Sequence, residues 1–201
     1  MSDEAIFKLA SKFKNADLIQ FYETIKKIPA NAFHPVNGYQ DKLKRVCFFY
    51  PDLSSIGSNA FSAFNNLNDI NFLKSNIKSI EKNAFTFEKY SDQKLMIEFQ
   101  DCVIDGTVFG NNFFDGLKRP TNLILNNTVQ PNMVKHLNEK AFLTFLSENG
   151  HNTITLVNNL LDCNDCRNAW LREQQELQSR VNPIKCLDGK DFNDFKNFKN
   201  C

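Results

Sequence analysis

The side chains best suited to chemistry in this chain of 201 residues are six cysteines and three histidines, and their spacing limits what they can do. The cysteines stand at 47, 102, 163, 166, 186 and 201. Cys163-x-x-Cys166 with two further cysteines could offer four thiolates to a tetrahedral zinc ion. Against zinc, Cys186 and Cys201 are 15 apart and form no second close pair. Disulfides are therefore expected among Cys163, Cys166, Cys186 and Cys201, in any of three connectivities, and they imply an oxidising compartment. Cys102 reads as an inward, buried and inert thiol. Cys47, between Val46 and Phe48, reads as outward and exposed, and a free thiol there is an expectation to check.

His34, His136 and His151 each fall in a loop or return. None stands at helical metal spacing from another histidine or beside a serine or cysteine in a nucleophile-elbow context. Gly106-x-x-x-Gly110 needs only turn geometry, not a phosphate. With no acid, base or metal ligands converging, neither enzymatic activity nor a cofactor is expected. Asn126-Asn127-Thr128 is an acceptor sequon, which makes Asn126 a candidate for N-glycosylation.

The elements that would position these residues follow from an internal repeat. Asn-Ala-Phe occurs at Asn31-Ala32-Phe33, Asn59-Ala60-Phe61 and Asn83-Ala84-Phe85. An apolar pair precedes each copy: Ile25 and Ile28, Leu53 and Ile56, Ile77 and Ile80. With weaker copies ending at Phe114 and Phe142, the final Phe recurs at intervals of 28, 24, 29 and 28 residues. Upstream of the pairs lie alternating runs: Leu43-x-x-Val46-x-Phe48, Leu67-x-x-Ile70-x-Phe72, Ile97-x-Phe99, Leu123-x-Leu125 and Ile154-x-Leu156. Period-two alternation predicts strands with one buried face. The turn leaving each strand, where a hydrogen-bonding residue satisfies buried backbone, holds Pro51, Ser75, Cys102, Thr128 and Asn159. Thr128 is expected to point inward.

A unit of one strand and one return cannot bury its own apolar face, so stacking is required. The 20 Phe then fill a continuous interior. The predicted fold is an α/β solenoid: a leucine-rich-repeat horseshoe with a parallel concave β-sheet, an irregular or short-helical convex side and a disulfide-bonded C-terminal cap. Residues 1–17 form a connecting segment, with an N-terminal cap expected to be missing. Residues 18–161 form five or six repeats, and 162–201 a cysteine-rich cap. Within the cap a helix is expected around Ala169, Trp170, Leu171 and Leu177, with Phe192, Phe195 and Phe198 on one helical face.

Twenty-four basic against 23 acidic side chains give a net charge of +1 and no global field toward nucleic acid or anionic membrane. No stretch approaches the roughly 18 apolar residues of a membrane span, and the charged residues after Met1 do not make a secretory leader. The chain is therefore expected to be a fragment or mature form.

The run from Cys163 to Cys201 resembles the cysteine-rich C-terminal flank of extracellular leucine-rich repeats. That resemblance implies the bridges Cys163–Cys186 and Cys166–Cys201. The Ser2-Asp3-Glu4-Ala5-Ile6 segment, Ile28-Pro29-Ala30-Asn31-Ala32-Phe33 and Ser58-Asn59-Ala60-Phe61 are similar to secreted arthropod leucine-rich-repeat proteins, including those likened to the non-catalytic subunit of Oplophorus luciferase. The resemblance implies a secreted, non-catalytic protein that binds another secreted or cell-surface protein on its concave face, or an accessory subunit that stabilises a secreted enzyme. On that face one column is expected to read Cys47, Asn71, Glu98, Ile124 and Thr155, and the next Phe49, Leu73, Gln100, Asn126 and Val157. Phe49, Tyr50 and Leu73 form the expected partner-binding patch. Lys74, Glu98 and Asp101 flank it.

Overall fold

The computed structural model describes residues 2–10, 12, 15–22, 25–33, 42–49, 52–64, 66–104, 108–110, 112–129, 134–194, 198 and 201. Strands alternate with returns along the chain. The strands are β1 (Leu18–Tyr22), β2 (Lys27–Ile28), β3 (Arg45–Phe49), β4 (Ser55–Ile56), β5 (Asp69–Leu73), β6 (Ser79–Ile80), β7 (Leu95–Gln100), β8 (Thr121–Asn126), β9 (Thr153–Val157) and β10 (Val181–Asn182). The helices are α1 (Asp3–Ala10), α2 (Glu139–Glu148), α3 (Ala169–Glu173) and α4 (Gln175–Gln178).

Seven strands form one sheet in the order β1-β3-β5-β7-β8-β9-β10, and every pairing is parallel. Each unit thus adds one strand beside the last, which is a solenoid of stacked strand-and-return units. The expected irregular returns are more regular than that in the first three units. There β2, β4 and β6 make a second parallel sheet, joining Ile28 to Ile56 and Ile56 to Ile80. The fifth unit returns through α2, whose Ala141, Phe142, Phe145 and Leu146 are buried.

Each residue of the repeated tripeptide has its own physical task. Asn31, Asn59 and Asn83 all adopt positive φ, 55°, 52° and 60°. Among residues with a Cβ, asparagine tolerates that conformation best. Their amides donate to Ser58, Asn83 and Asn112 carbonyls of the next unit, which ties the returns together. Ala60 and Ala84 are fully buried, where a larger side chain would not fit. The Phe side chains stack: Phe33, Phe61, Phe85 and Phe114 follow one another at 5.7, 5.5 and 5.7 Å between ring centroids.

A second aromatic column comes from the strands. Phe21, Phe48, Phe72 and Phe99 stack at 5.1, 5.3 and 4.8 Å with planes within 11° of parallel. The two columns meet edge to face, as at Phe61 and Phe72, 6.5 Å apart at 75°. Offset stacks and T-shaped pairs are the favourable geometries for aromatic quadrupoles. Gly57 permits this tight stacking, since a Cβ there would lie 2.4 Å from the Ala30 nitrogen.

Buried amides and hydroxyls satisfy the turns that leave the strands. The Ser75 hydroxyl donates to Leu73 O, Cys102 Sγ to Phe72 O and Gln100 O, and Asn159 Nδ2 to Leu125 O and Val157 O. The fifth unit departs from the expected register. Thr128 is exposed and Asn127 is buried in its place, its Nδ2 donating to Asn159 Oδ1 at 2.7 Å. Lys74, Asp101 and Asn158 end their strands with positive φ and Asn127 does not, so the ladder position falls one residue earlier here. Pro51, the first of the five positions in chain order, lies outside the described residues.

Both ends are covered. Phe7 on α1 is buried 5.0 Å from both Phe21 and Phe33, and Asp3 accepts from the Lys27 amide at the edge of the second sheet. Helix α1 therefore packs against the first unit. At the other end β10 extends the large sheet, and Cys163–Cys186 and Cys166–Cys201 are bridged. Trp170 Nε1 donates to Leu137 O, and Asn168 bonds Leu137 N, Lys135 O and Asp162 O. Phe192 and Phe198 meet at 5.4 Å, Phe192 in a turn and Phe198 with φ 57°, where one helical face was expected; Phe195 lies outside the described residues.

Candidate functional site

The inward residues of the large sheet are buried throughout: Val46 and Phe48, Ile70 and Phe72, Ile97 and Phe99, Leu123 and Leu125, Ile154 and Leu156. Alternation turns every other side chain to the opposite, outer face. Strand register sets these in three columns. The first runs Leu18, Arg45, Asp69, Met96, Asn122, Thr153. The second runs Gln20, Cys47, Asn71, Glu98, Ile124, Thr155. The third runs Tyr22, Phe49, Leu73, Gln100, Asn126, Val157. The sequence-derived columns agree with the second and third and lack only their first members, Gln20 and Tyr22.

An apolar group occupies the N-terminal part of this face. Phe49 stacks on Tyr22 with centroids 5.0 Å apart and planes 7° from parallel, and Leu73 is the next residue in that column. Tyr22 is 53% exposed, and Leu18 and Met96 are also exposed. Tyr22, Leu18 and Met96 were missed in the sequence reading, although Leu18-x-Gln20-x-Tyr22 around Ile19 and Phe21 carries the same alternation. Tyr50 lies outside the described residues.

The C-terminal part is polar and internally bonded. Asn126 Nδ2 donates to Glu98 Oε1 at 3.0 Å, and the hydroxyls of Thr153 and Thr155 both donate to Asn122 Oδ1. Arg45 and Asp69 pair at 3.4 Å in the first column. At the strand ends Lys74 is exposed and Asp101 half-buried. Burial would raise the Asp101 carboxyl, but the Thr128 hydroxyl, the Val129 and Thr128 amides and nearby Lys74 outweigh it and hold the group below its ordinary value. Of the six expected partner-binding residues, Phe49, Leu73 and Glu98 thus share the face itself, and Lys74 and Asp101 line its rim.

Cys47 is buried, 5% exposed, and not the exposed thiol that alternation suggested. It does stand in the outer column, but its short side chain lies between Gln20 and Asn71 of the flanking strands, and Asn71 Nδ2 reaches its Sγ at 3.7 Å. Burial pushes its pKa up, against the Asn71 hydrogen bond and Arg45. Cys102 is buried as expected, its thiol pushed up to about 12 by the same desolvation. Asn126 closes β8 on the outer face, half-buried.

His136 Nε2 lies 3.2 Å from Arg167 Nη1, His151 is exposed in a turn, and His34 lies outside the described residues. Among the described residues no three His, Cys, Asp or Glu side chains gather as metal ligands, and no helix is long and apolar enough to cross a membrane.

No family model and no curated protein matches this chain. Among solved structures, the crystal structure of human 5T4 (Wnt-activated inhibitory factor 1, trophoblast glycoprotein) is similar over 89% of this chain and 85% of that one, with 13% identity and a TM-score of 0.37.

Proposed function

We propose that this chain is an extracellular, non-enzymatic leucine-rich-repeat protein that binds another secreted or cell-surface protein on the outer face of its large sheet. In this reading that face is the concave side of a horseshoe and the second sheet lies on the convex side. The observation that carries the proposal is the Tyr22–Phe49 stack continued by Leu73 on an otherwise solvent-facing sheet. Aromatic side chains held rigid by their neighbours lose little freedom on binding and are enriched at interface hot spots. Two disulfides in the cap favour an oxidising, extracellular setting.

A second reading, suggested by the arthropod resemblance, is an accessory subunit that stabilises a secreted enzyme without supplying catalytic groups. It uses the same face and differs only in the partner's identity. The test is affinity capture from extracellular fluid with the intact chain and with a Phe49→Asp, Leu73→Asp double variant. Capture of a partner by the first and its loss with the second is expected. Equal recovery by both removes the outer face from the proposal.

A further inference from the structure

Among the described residues the charges on the outer face are matched except one. Arg45 pairs with Asp69, and Lys74 lies close enough to Asp101 to favour its ionised form. Glu98, in the central column, is in no ion pair among the described residues. Its Oε1 is fixed by Asn126 Nδ2 at 3.0 Å, which orients the carboxylate and leaves Oε2 for another donor.

The neighbours of Glu98 define what could approach. Ile124 is its register partner on β8, Asn71 its partner on β5, and Leu73 the diagonal neighbour on β5. Adjacent strands are about 4.8 Å apart, so Glu98 stands between Ile124 on one side and Asn71 on the other, with Leu73 one diagonal step away. A hydrated inorganic cation gains little from such walls. A lysine or arginine side chain suits them, because its methylene stem packs on apolar groups while its head meets the carboxylate.

We propose that Glu98, held by Asn126, flanked by Ile124 and with Leu73 on its diagonal, is the seat for a basic side chain of the partner polypeptide. The proposal rests on the outer face being the binding surface and names the chemistry that surface selects: an apolar anchor at Phe49 and Leu73 beside a Lys or Arg at Glu98. On an extended peptide, side chains two residues apart share a face at about 7 Å, close to the diagonal separation of Leu73 and Glu98 on adjacent strands.

Two blocked peptides test it, acetyl-Leu-Gly-Arg-amide and its twin with neutral citrulline for arginine, titrated into isotopically labelled protein. The Ile124 methyls and the Asn126 side-chain amide report the seat, and the Leu73 methyls and Phe49 ring report the apolar anchor. The arginine peptide is expected to bind about tenfold more tightly than its twin, the effect of one hydrogen bond to a charged group. Glu98→Gln, nearly isosteric, should abolish that preference while leaving the Leu73 and Phe49 responses in place. Equal affinity of the twins, or a preference that survives Glu98→Gln, overturns the seat. If both peptides shift Leu73 and Phe49 equally, the binding face stands and the seat alone falls; if neither shifts any outer-face signal, both fall.

Discussion

Phe61 and Phe85, one from each of two successive Asn-Ala-Phe tripeptides, stack with ring centroids 5.5 Å apart and planes within 1° of parallel. Both rings are completely buried. Each therefore supports the unit before it and the unit after it. Phe61→Ala is expected to cost about 3–5 kcal/mol, the usual range for removing a buried ring, and urea denaturation monitored by circular dichroism measures it. A loss under about 1 kcal/mol would show that the stacked units do not share one interior.

The asparagine of the tripeptide is there for its backbone, with φ near 55° in three units. Asn59→Gly should therefore leave stability within a few tenths of a kcal/mol, whereas Asn59→Val should lose about 1–2 kcal/mol through the left-handed conformation. Comparing thermal unfolding of the two variants separates backbone strain from side-chain loss. Equal effects would mean that the asparagine side chain, and not φ, is what the position needs.

Where the strand turns depend on buried amides, the side chain itself matters. Asn159 donates to Leu125 O and Val157 O and accepts from Val134 N and Asn127 Nδ2. Asn159→Ala strands these groups away from water and should cost at least about 2 kcal/mol. Thr128→Ala should cost little, because Thr128 faces solvent, and that small cost belongs to neutral pH and disappears in acid. It should also move the Asp101 carboxyl back toward its ordinary pKa, since its hydroxyl helps hold that group down. The sign follows from linkage: a lowered folded pKa gives stability that is present above the unfolded value of about 3.9 and is lost as pH falls through the folded one. NMR titration of Asp101 in both proteins reads the shift directly.

The two free thiols should be inert in the folded chain. Burial raises both pKa values, that of Cys102 to about 12, so little thiolate is available at pH 8. Native protein treated with iodoacetamide and analysed by mass spectrometry should remain unmodified at Cys47 and Cys102, and both should react after unfolding in urea. Rapid native labelling of Cys47 would mean that the Gln20 and Asn71 side chains do not cover it.

Breaking the cap should be costly in a different way. Cys166 and Cys201 are 35 residues apart, and cross-links over such loops stabilise by about 3–4 kcal/mol, largely through the unfolded chain. A Cys166→Ser, Cys201→Ser variant is expected to lose a stabilisation of that order in urea, with β9 and β10 exchanging amide hydrogens faster.

Much of this was legible in the sequence because two periods reinforce each other. Alternation assigned Cys47, Asn71, Glu98, Ile124 and Thr155 to one face, and the recurring Phe fixed which residues stand side by side. What alternation gives is a direction and not an exposure, which is why Cys47 faces outward yet is buried. Two-residue strands such as Lys27–Ile28 are too short to show any period, so the second sheet was invisible. Asn127 and Thr128 are both polar and adjacent; only the backbone at the end of β8 decides which turns inward. Helix α1 as a cover for the first unit could have been suspected from the apolar Ile6 and Phe7 set between charged Glu4 and Lys8.

The central claim is that a partner lies across Phe49 and Leu73. The direct measurement places a photo-reactive benzoylphenylalanine at position 49, at position 73 or at exposed Lys82 beyond the second sheet, and identifies cross-linked polypeptides from extracellular fluid by mass spectrometry. The account expects one polypeptide captured from positions 49 and 73 and none from position 82. Capture from position 82 alone would contradict it.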